Sequence, residues 1–274
     1  MRILLIIAVL LFSQFVKAQS VPYGYNDEVG KYFEVEENTD LYYEIYGAGA
    51  PLIILHGGVF GYIDEFEYLI PNLSEKYQVI CLGSRGHVKS DIGNQPFTYE
   101  QRANDAYKLI KLLQLEKVTV IGFSDGGYAA YKLAAMYPEV VEKMVVMGAG
   151  DDPMKTEPGN FDYSADKLMN ANAEYFKKRV ANMPEPDRWD ESLEMLNDLY
   201  NTSFVSEETF SKIKCPVLVM SGDRDGYSSP KNCLKVHEYL VDSQISLIPG
   251  CGHVILYCNF PAVWASMKSF LGFG

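Results

Sequence analysis

One serine lies in a turn bracketed by glycines, Gly122-Phe123-Ser124-Asp125-Gly126. The pattern G-x-S-x-G at a change from strand to helix is typical of a sharp turn that lifts a nucleophilic serine clear of a sheet. The following helix would direct its amides and positive dipole end at the site, which suits an anion. The structural alternative is a tight turn in which Ser124 only caps the helix. The apolar run before the turn and the alanine-rich stretch after it favour a serine that attacks an acyl carbon.

A serine nucleophile needs a base, and the chain has four histidines. His253 follows the last predicted strand in the glycine-rich segment "LIPGCGHV". His56 ends a strand in "LHGG", His87 lies in "SRGHVKS", and His237 lies on a helical stretch with the pattern of a surface residue. The position of His253 after a strand and near the C-terminus makes it the predicted base.

The base needs an acid to orient it, and the segment "VLVMSGDRDGYSSP" offers Asp223 and Asp225 directly after a strand. The chain order Ser124, Asp225, His253 is a known order for such a triad. Each of the three follows a predicted strand. The carboxyl ends of parallel strands form one edge of a sheet, where ligands bind.

The elements that must position these side chains are short apolar runs that alternate with segments of helical periodicity. Such strands, apolar throughout, indicate a parallel sheet covered on both faces. Strands are predicted at 41–47, 51–58, 77–83, 117–123, 141–150, 215–222 and 245–250, and helices at 98–115, 124–137 and 260–273.

The chain divides into three parts. Residues 1–18 have a positive start, an apolar run and a small-x-small end, which predicts a signal peptide and an exported, periplasmic or secreted protein. Residues 19–150 and 215–274 carry the strand and helix alternation. Residues 151–214 have helical periodicity and no strand-like run, so they are predicted to form a helical cap inserted between two strands.

From about residue 40 to the end, the chain resembles the α/β-hydrolases. The matching segments are "LHGG" as oxyanion loop, "GFSDGG" as nucleophile turn, "SGDRD" as acid loop and "PGCGH" as histidine loop. The S-D-G-G turn resembles the biphenyl hydrolase-like or valacyclovirase-like serine hydrolases. The resemblance implies a mostly parallel sheet flanked by helices, with the cap inserted after the sixth strand. One segment departs from the family: "GSRGHVKS" lacks an Asp and a Gly of the usual D-x-R-G-x-G-x-S.

The resemblance implies a role for each matching residue. Ser124 attacks, His253 transfers the proton, and Asp225, by its place in the loop, orients the imidazole. The backbone amides of Gly58 and Asp125 hold the oxyanion. No metal or cofactor is implied, and no residues have metal-ligand spacing.

Four further residues lie in or near the strands and loops of the predicted site. Asp151 and Asp152 are rival acids, because some relatives carry the acid after that strand. His56 is predicted to brace the oxyanion loop and His87 to be structural.

The carboxylate of Asp125 needs its own explanation, because the amide alone would serve the oxyanion. One reading is an acid favoured at a helix start. The other is a partner for a substrate ammonium group, which would make the substrates α-amino esters.

Composition narrows the function further. The net charge of −12 argues against a nucleic-acid partner. After residue 18 no stretch is long and apolar enough to span a membrane. The predicted triad indicates a small-molecule substrate. Nothing indicates an oligomeric state, and among the five cysteines a bridge between Cys251 and Cys258 is left open.

The predicted function is a serine carboxylic-ester hydrolase. An aminopeptidase, a carbon–carbon hydrolase or perhydrolase on the same triad, and a non-catalytic binding protein of this fold are the alternatives.

Overall fold

The computed structural model describes residues 21–152 and 160–274. Their centre is an eight-stranded sheet, and the order of strands across it is β1-β2-β4-β3-β5-β6-β7-β8. β1 and β2 pair antiparallel, as do β2 and β4, and the other pairs are parallel. The strands are β1 Gly30–Glu36, β2 Thr39–Tyr46, β3 Ala50–Leu55, β4 Tyr77–Leu82, β5 Val118–Phe123, β6 Val141–Met147, β7 Val217–Gly222 and β8 Ser243–Ile248.

Helices cover both faces of this sheet, and the sheet separates the core into two apolar layers. The central strands β5 and β7 are buried along their whole length, which explains why their sequences are apolar throughout. The α-helices are α1 Leu69–Ser74, α2 Tyr99–Leu112, α3 Asp125–Met136, α4 Ala165–Val180, α5 Trp189–Thr202, α6 Glu207–Phe210, α7 Pro230–Tyr239, α8 Ile255–Cys258 and α9 Phe260–Phe270. This is the mostly parallel α/β-hydrolase fold that the sequence predicts.

The segment between β6 and β7 is described at residues 148–152 and 160–216, and the second of these ranges contains helices α4, α5 and α6. α4 is held to the sheet domain by Arg179, whose guanidinium makes two bonds of 2.9 and 2.7 Å to the Asp64 carboxylate. The same guanidinium lies 3.8 Å from the centre of the Tyr62 ring, in the range of a cation–π contact. The cap thus has a charged and aromatic attachment to the core beside the proposed site.

Strand β1 was not predicted from the sequence. Only Phe33 and Val35 of its residues are buried, and charged residues lie between and around them. An edge strand with one exposed face carries a weak apolar signal, which explains the omission.

The predicted signal peptide, residues 1–18, lies outside the described residues. Within 21–152 and 160–274, no helix is long and apolar enough to cross a bilayer.

Candidate active site

Ser124 lies between β5 and α3 with φ 52° and ψ −118°, a left-handed conformation that is strained for a residue with a side chain. The flanking glycines make this turn sterically feasible. A Cβ on Gly122 would lie 2.3 Å from the Gly126 carbonyl oxygen, and a Cβ on Gly126 would lie 2.0 Å from that of Leu55. Ser124 occupies the N-cap position of α3, yet its side chain makes no capping bond. Its hydroxyl is directed elsewhere.

That hydroxyl meets His253. The distance from Ser124 Oγ to His253 Nε2 is 2.9 Å, and His253 Nδ1 lies 2.8 Å from Asp225 Oδ2. The other Asp225 oxygen, Oδ1, accepts the amides of Tyr227 (2.8 Å) and Ser228 (2.9 Å), so the carboxylate is fixed at both ends. The structure therefore brings together the three side chains that the sequence singled out.

The other acids lie elsewhere. Asp223 Oδ1 accepts the Gly250 amide at 2.7 Å and so closes the turn beside the histidine loop. Asp151 Oδ2 pairs with Lys235 Nζ at 3.2 Å. The backbone of Asp152 pairs with that of Val205. Of these acids, Asp225 is the one whose carboxylate contacts the imidazole.

The loop after β3 presents three consecutive amides. Gly57 N donates to Glu65 Oε2 at 2.9 Å, and Val59 N donates to the Tyr200 hydroxyl at 3.1 Å. Within the described ranges, the Gly58 amide has no protein acceptor, and the same is true of the Asp125 amide at the start of α3. These are the two amides that the sequence assigned to an oxyanion.

Two buried histidines hold this loop. The Ser84 amide donates to His56 Nε2 at 2.9 Å, so His56 carries its proton on Nδ1 and donates it to the Gly57 carbonyl at 2.8 Å. His87 Nε2 lies 3.1 Å from the Gly58 carbonyl oxygen. Burial lowers the pKa of His56 well below its usual value, and burial together with the charge of Arg102 lowers the pKa of His87 to about 4. Both rings are therefore neutral at ordinary pH and brace the loop.

This burial of His87 predicts a pH-dependent stability. The unfolded chain takes up the His87 proton below about pH 6.5, whereas the folded protein resists it until about pH 4, so the free energy of unfolding falls on acidification through that window. His87→Gln keeps a hydrogen-bond donor without a titrating group. Urea unfolding at pH 7 and 4.5 should show a fall about 2–3 kcal/mol smaller in this variant than in the wild type. His237→Gln, which removes a half-buried histidine of α7, is the control. The prediction would be contradicted if the free energy of unfolding fell by the same amount between pH 7 and 4.5 in all three proteins.

Asp125 is buried, and its side chain has partners within the protein. Its Oδ2 accepts the Tyr200 hydroxyl at 2.8 Å and lies 3.5 Å from Arg102 Nη1. Burial raises the pKa of Asp125, while the Arg102 charge and the Tyr200 bond oppose that rise. Among the described residues no hydrogen-bond donor contacts its Oδ1. The sequence contained no signal for either partner, because Arg102 and Tyr200 lie on distant helices.

A cavity of about 340 Å³ adjoins Ser124 and His253, a size that suits a small molecule. Its wall contains no Lys or Arg among the described residues, and it contains four acids. Aromatic side chains make up much of the rest, including Tyr163 and Tyr200 of the cap segment. The four acids are Glu65, Asp125, Asp151 and Asp152.

Glu65 is a cavity residue that could not be predicted from the sequence, since nothing distinguishes it from the neighbouring acids Asp64 and Glu67. Burial raises its pKa to about 8, against the opposing effect of the Gly57 hydrogen bond. At neutral pH this carboxyl is therefore largely protonated, and its Oε2 still accepts the Gly57 amide.

The histidine loop is closed by a disulfide between Cys251 and Cys258, the bridge that the sequence left open. His253 lies between the two cysteines in the chain. The remaining cysteines, Cys81, Cys215 and Cys233, are buried free thiols.

Known proteins resemble this chain over most of its length. The family model described as "alpha/beta hydrolase fold" matches residues 51–197. Human serine hydrolase BPHL is 25% identical over 78% of this chain and 77% of its own. The 2-hydroxy-6-oxo-6-(2'-aminophenyl)hexa-2,4-dienoic acid hydrolase of Metapseudomonas resinovorans is 24% identical over 76% and 79%.

Solved structures show the same fold. The meta-cleavage product hydrolase CumD of Pseudomonas fluorescens superposes with a TM-score of 0.73 at 20% identity, covering 90% of this chain and 98% of its own. The family match spans more than half of the chain and agrees with the eight-stranded, mostly parallel sheet. The chain therefore belongs to the alpha/beta hydrolase fold family and is an enzyme of the hydrolase class.

Proposed function

We propose that this enzyme cleaves a carboxylic ester through an acyl-serine intermediate. The observation that carries the proposal is the continuous hydrogen-bonded line Ser124–His253–Asp225, with heavy-atom distances of 2.9 and 2.8 Å. His253 Nε2 takes the Ser124 proton as Oγ bonds to the acyl carbon, and then gives that proton to the departing alcohol. A water molecule then hydrolyses the acyl-serine by the same steps. His253 takes a proton from the water as its oxygen bonds to the acyl carbon. The bond from that carbon to Ser124 Oγ then breaks, and His253 returns the proton to Oγ.

Negative charge on the acyl oxygen needs donors that are already in place. The amides of Gly58 and Asp125 have no acceptor within the described residues, and they belong to the oxyanion loop and to the start of α3. One such donor stabilises the transition state by about 3 kcal/mol. Two fixed donors and a relayed proton together supply what acyl transfer requires.

The charge of the cavity wall favours neutral or cationic substrates. Glu65 is largely protonated at neutral pH, so a substrate carboxylate would meet the three other acids and no Lys or Arg in the described wall. This costs free energy because like charges repel in a poorly solvated site. The hydrolase of Metapseudomonas resinovorans, a relative of this chain, is named for an acid substrate. The wall therefore favours an ester hydrolase over a hydrolase with such a substrate, and an amine on the substrate would be attracted to it.

The experiment that tests the function compares two esters with the mature protein. They are the p-nitrophenyl esters of valine and of 3-methylbutanoic acid, which differ only in the amino group. Turnover of either, with labelling of the protein by a fluorophosphonate, supports the ester hydrolase. A valine preference of about 100-fold, equivalent to about 2.7 kcal/mol, would make it an amino-ester hydrolase. Turnover of valine p-nitroanilide alone would favour the aminopeptidase, and no labelling would favour a binding protein.

The Asp125 carboxylate is the proposed ammonium partner, through the Oδ1 oxygen that has no donor among the described residues. We expect Asp125→Asn to lower the ratio of kcat/KM for the valine ester over the 3-methylbutanoate ester by about 10-fold, because a paired charge is lost. Glu65→Gln is the matched comparison, since it removes a second carboxyl from the same wall. An unchanged ratio in Asp125→Asn would exclude Asp125 from amine recognition.

The predicted export of the protein is also a proposal, and it depends on residues 1–18. Detection of the protein in the periplasm or medium, with an N-terminus near Gln19, would test it.

A further inference from the structure

The hydroxyl of Tyr200 joins the cap to the oxyanion loop. Tyr200 lies on cap helix α5, and its hydroxyl oxygen accepts the Val59 amide at 3.1 Å. The same hydroxyl donates to Asp125 Oδ2 at 2.8 Å, next to the nucleophile in the chain. One partly buried hydroxyl therefore contacts both the oxyanion loop and the turn that carries Ser124.

The polarity of this chain of hydrogen bonds is set by Arg102. Its guanidinium, 3.5 Å from Asp125 Oδ2, favours the ionised carboxylate, which can only accept. The Tyr200 proton must then point to Asp125, so a lone pair of the hydroxyl is left for the Val59 amide. Burial and the Asp125 charge raise the pKa of Tyr200, which keeps this proton on the phenol.

The two amides beside Gly58 are both held by side chains. Glu65 accepts the Gly57 amide and Tyr200 accepts the Val59 amide, while the Gly58 amide between them stays available. Gly58 also packs against the hydrogen-bonded pair of Tyr200 and Asp125, since a Cβ at that position would lie 2.0 Å from the Tyr200 oxygen and 2.4 Å from Asp125 Oδ2. Removal of the Tyr200 hydroxyl would therefore change the contacts of Gly58, whose amide is the proposed oxyanion donor.

We propose that Tyr200 is a positioning residue, through which the cap holds the oxyanion loop in its reactive geometry, and that Asp125 orients the Tyr200 hydroxyl. This inference rests on the proposed acyl-transfer function. It gives the carboxylate of Asp125 a task in every turnover, whatever the substrate. It also makes the oxyanion donor depend on the seating of the cap.

The test is Tyr200→Phe, which keeps the ring and removes both hydrogen bonds. We expect kcat to fall about 10- to 100-fold on both esters, with little change in KM, because a displaced oxyanion donor weakens the transition state rather than ground-state binding. Inhibition by an alkylboronic acid, whose tetrahedral serine adduct places an oxygen at the oxyanion position, should weaken by a similar factor.

Tyr77→Phe is the control for the loss of a buried phenol. The Tyr77 hydroxyl donates to the Leu271 carbonyl at 2.6 Å, outside the cavity wall. Both variants should lose thermal stability to a similar degree, and only Tyr200→Phe should lose kcat and boronate affinity. Loss of stability in Tyr200→Phe without those two changes would mean that Tyr200 only packs the cap, and would overturn the inference.

The part played by Asp125 is tested by a double-variant cycle on the 3-methylbutanoate ester. If Asp125 acts through Tyr200, the double variant Asp125→Asn/Tyr200→Phe loses no more activity than the more affected single variant. Additive losses would overturn the orienting role. A wild-type protein that turns over neither ester would refute the proposed function itself, whereas active wild type with equally active Tyr200→Phe would refute this inference alone.

Discussion

Replacement of Ser124 by alanine is expected to lower kcat/KM for an ester about 10⁴- to 10⁶-fold, since no other group can form the acyl intermediate. The small remaining rate would come from the oxyanion donors and substrate binding. Alanine tolerates the left-handed backbone at this turn no worse than serine does, so the fold should be preserved. Initial rates over a range of ester concentrations, together with the melting temperature, measure the effect.

Ser246→Ala provides the matched control for this change. Ser246 lies on β8, and its hydroxyl contacts Ser266 outside the cavity wall. Fluorophosphonate labelling should vanish in Ser124→Ala and persist in Ser246→Ala. Activity or labelling of Ser124→Ala near the wild-type level would show that the nucleophile lies elsewhere.

The second large effect is expected from Asp225→Asn, which should lower kcat about 10³- to 10⁴-fold. The amides of Tyr227 and Ser228 both donate to Asp225 Oδ1, so asparagine will keep its oxygen there and direct its NH₂ group at His253. That group donates to Nδ1 and drives the imidazole proton to Nε2. An imidazole in this tautomer cannot accept the Ser124 proton.

Asp223→Asn is the control, because it makes the same substitution in the same loop. Asp223 accepts the Gly250 amide, whereas the carboxylate that contacts His253 is that of Asp225. Its loss of activity should be at least 100-fold smaller than that of Asp225→Asn. Comparable losses in both variants would mean that the loop, rather than the Asp225 carboxylate, supports the base. The pH dependence of kcat, measured from pH 6 to 9, would then be the same in the two variants.

The cavity wall and the loop beneath it explain why these residues work as a group. The described part of the wall contains acids and no Lys or Arg, and neutral His56 and His87 contact the carbonyl groups of the oxyanion loop. Glu65 and Tyr200 hold its amide side. A loop of three residues is thus contacted by four side chains, of which His56 and His87 are buried and Glu65 and Tyr200 are partly buried.

Much of the fold could be predicted from the sequence because its signals are local. The apolar runs of β5 and β7 require burial on both faces, and this burial requires helices on each side. The turn around Ser124 could be recognised from its glycines, whose missing side chains allow the close backbone contacts. Strand β1 could not be predicted from the sequence, because an edge strand buries few residues and therefore has a weak apolar pattern.

By itself, then, the sequence predicted seven of the eight strands, the place of the cap, and the residues Ser124 and His253, because each has a pattern that can be read along the chain. Only the tertiary structure decided which acid contacts His253, since Asp223 and Asp225 follow the same strand two positions apart. It also decided the partners of Asp125, because Tyr200 comes 75 positions later in the chain. Contacts between distant segments depend on how helices pack on the sheet, and no local pattern records that packing.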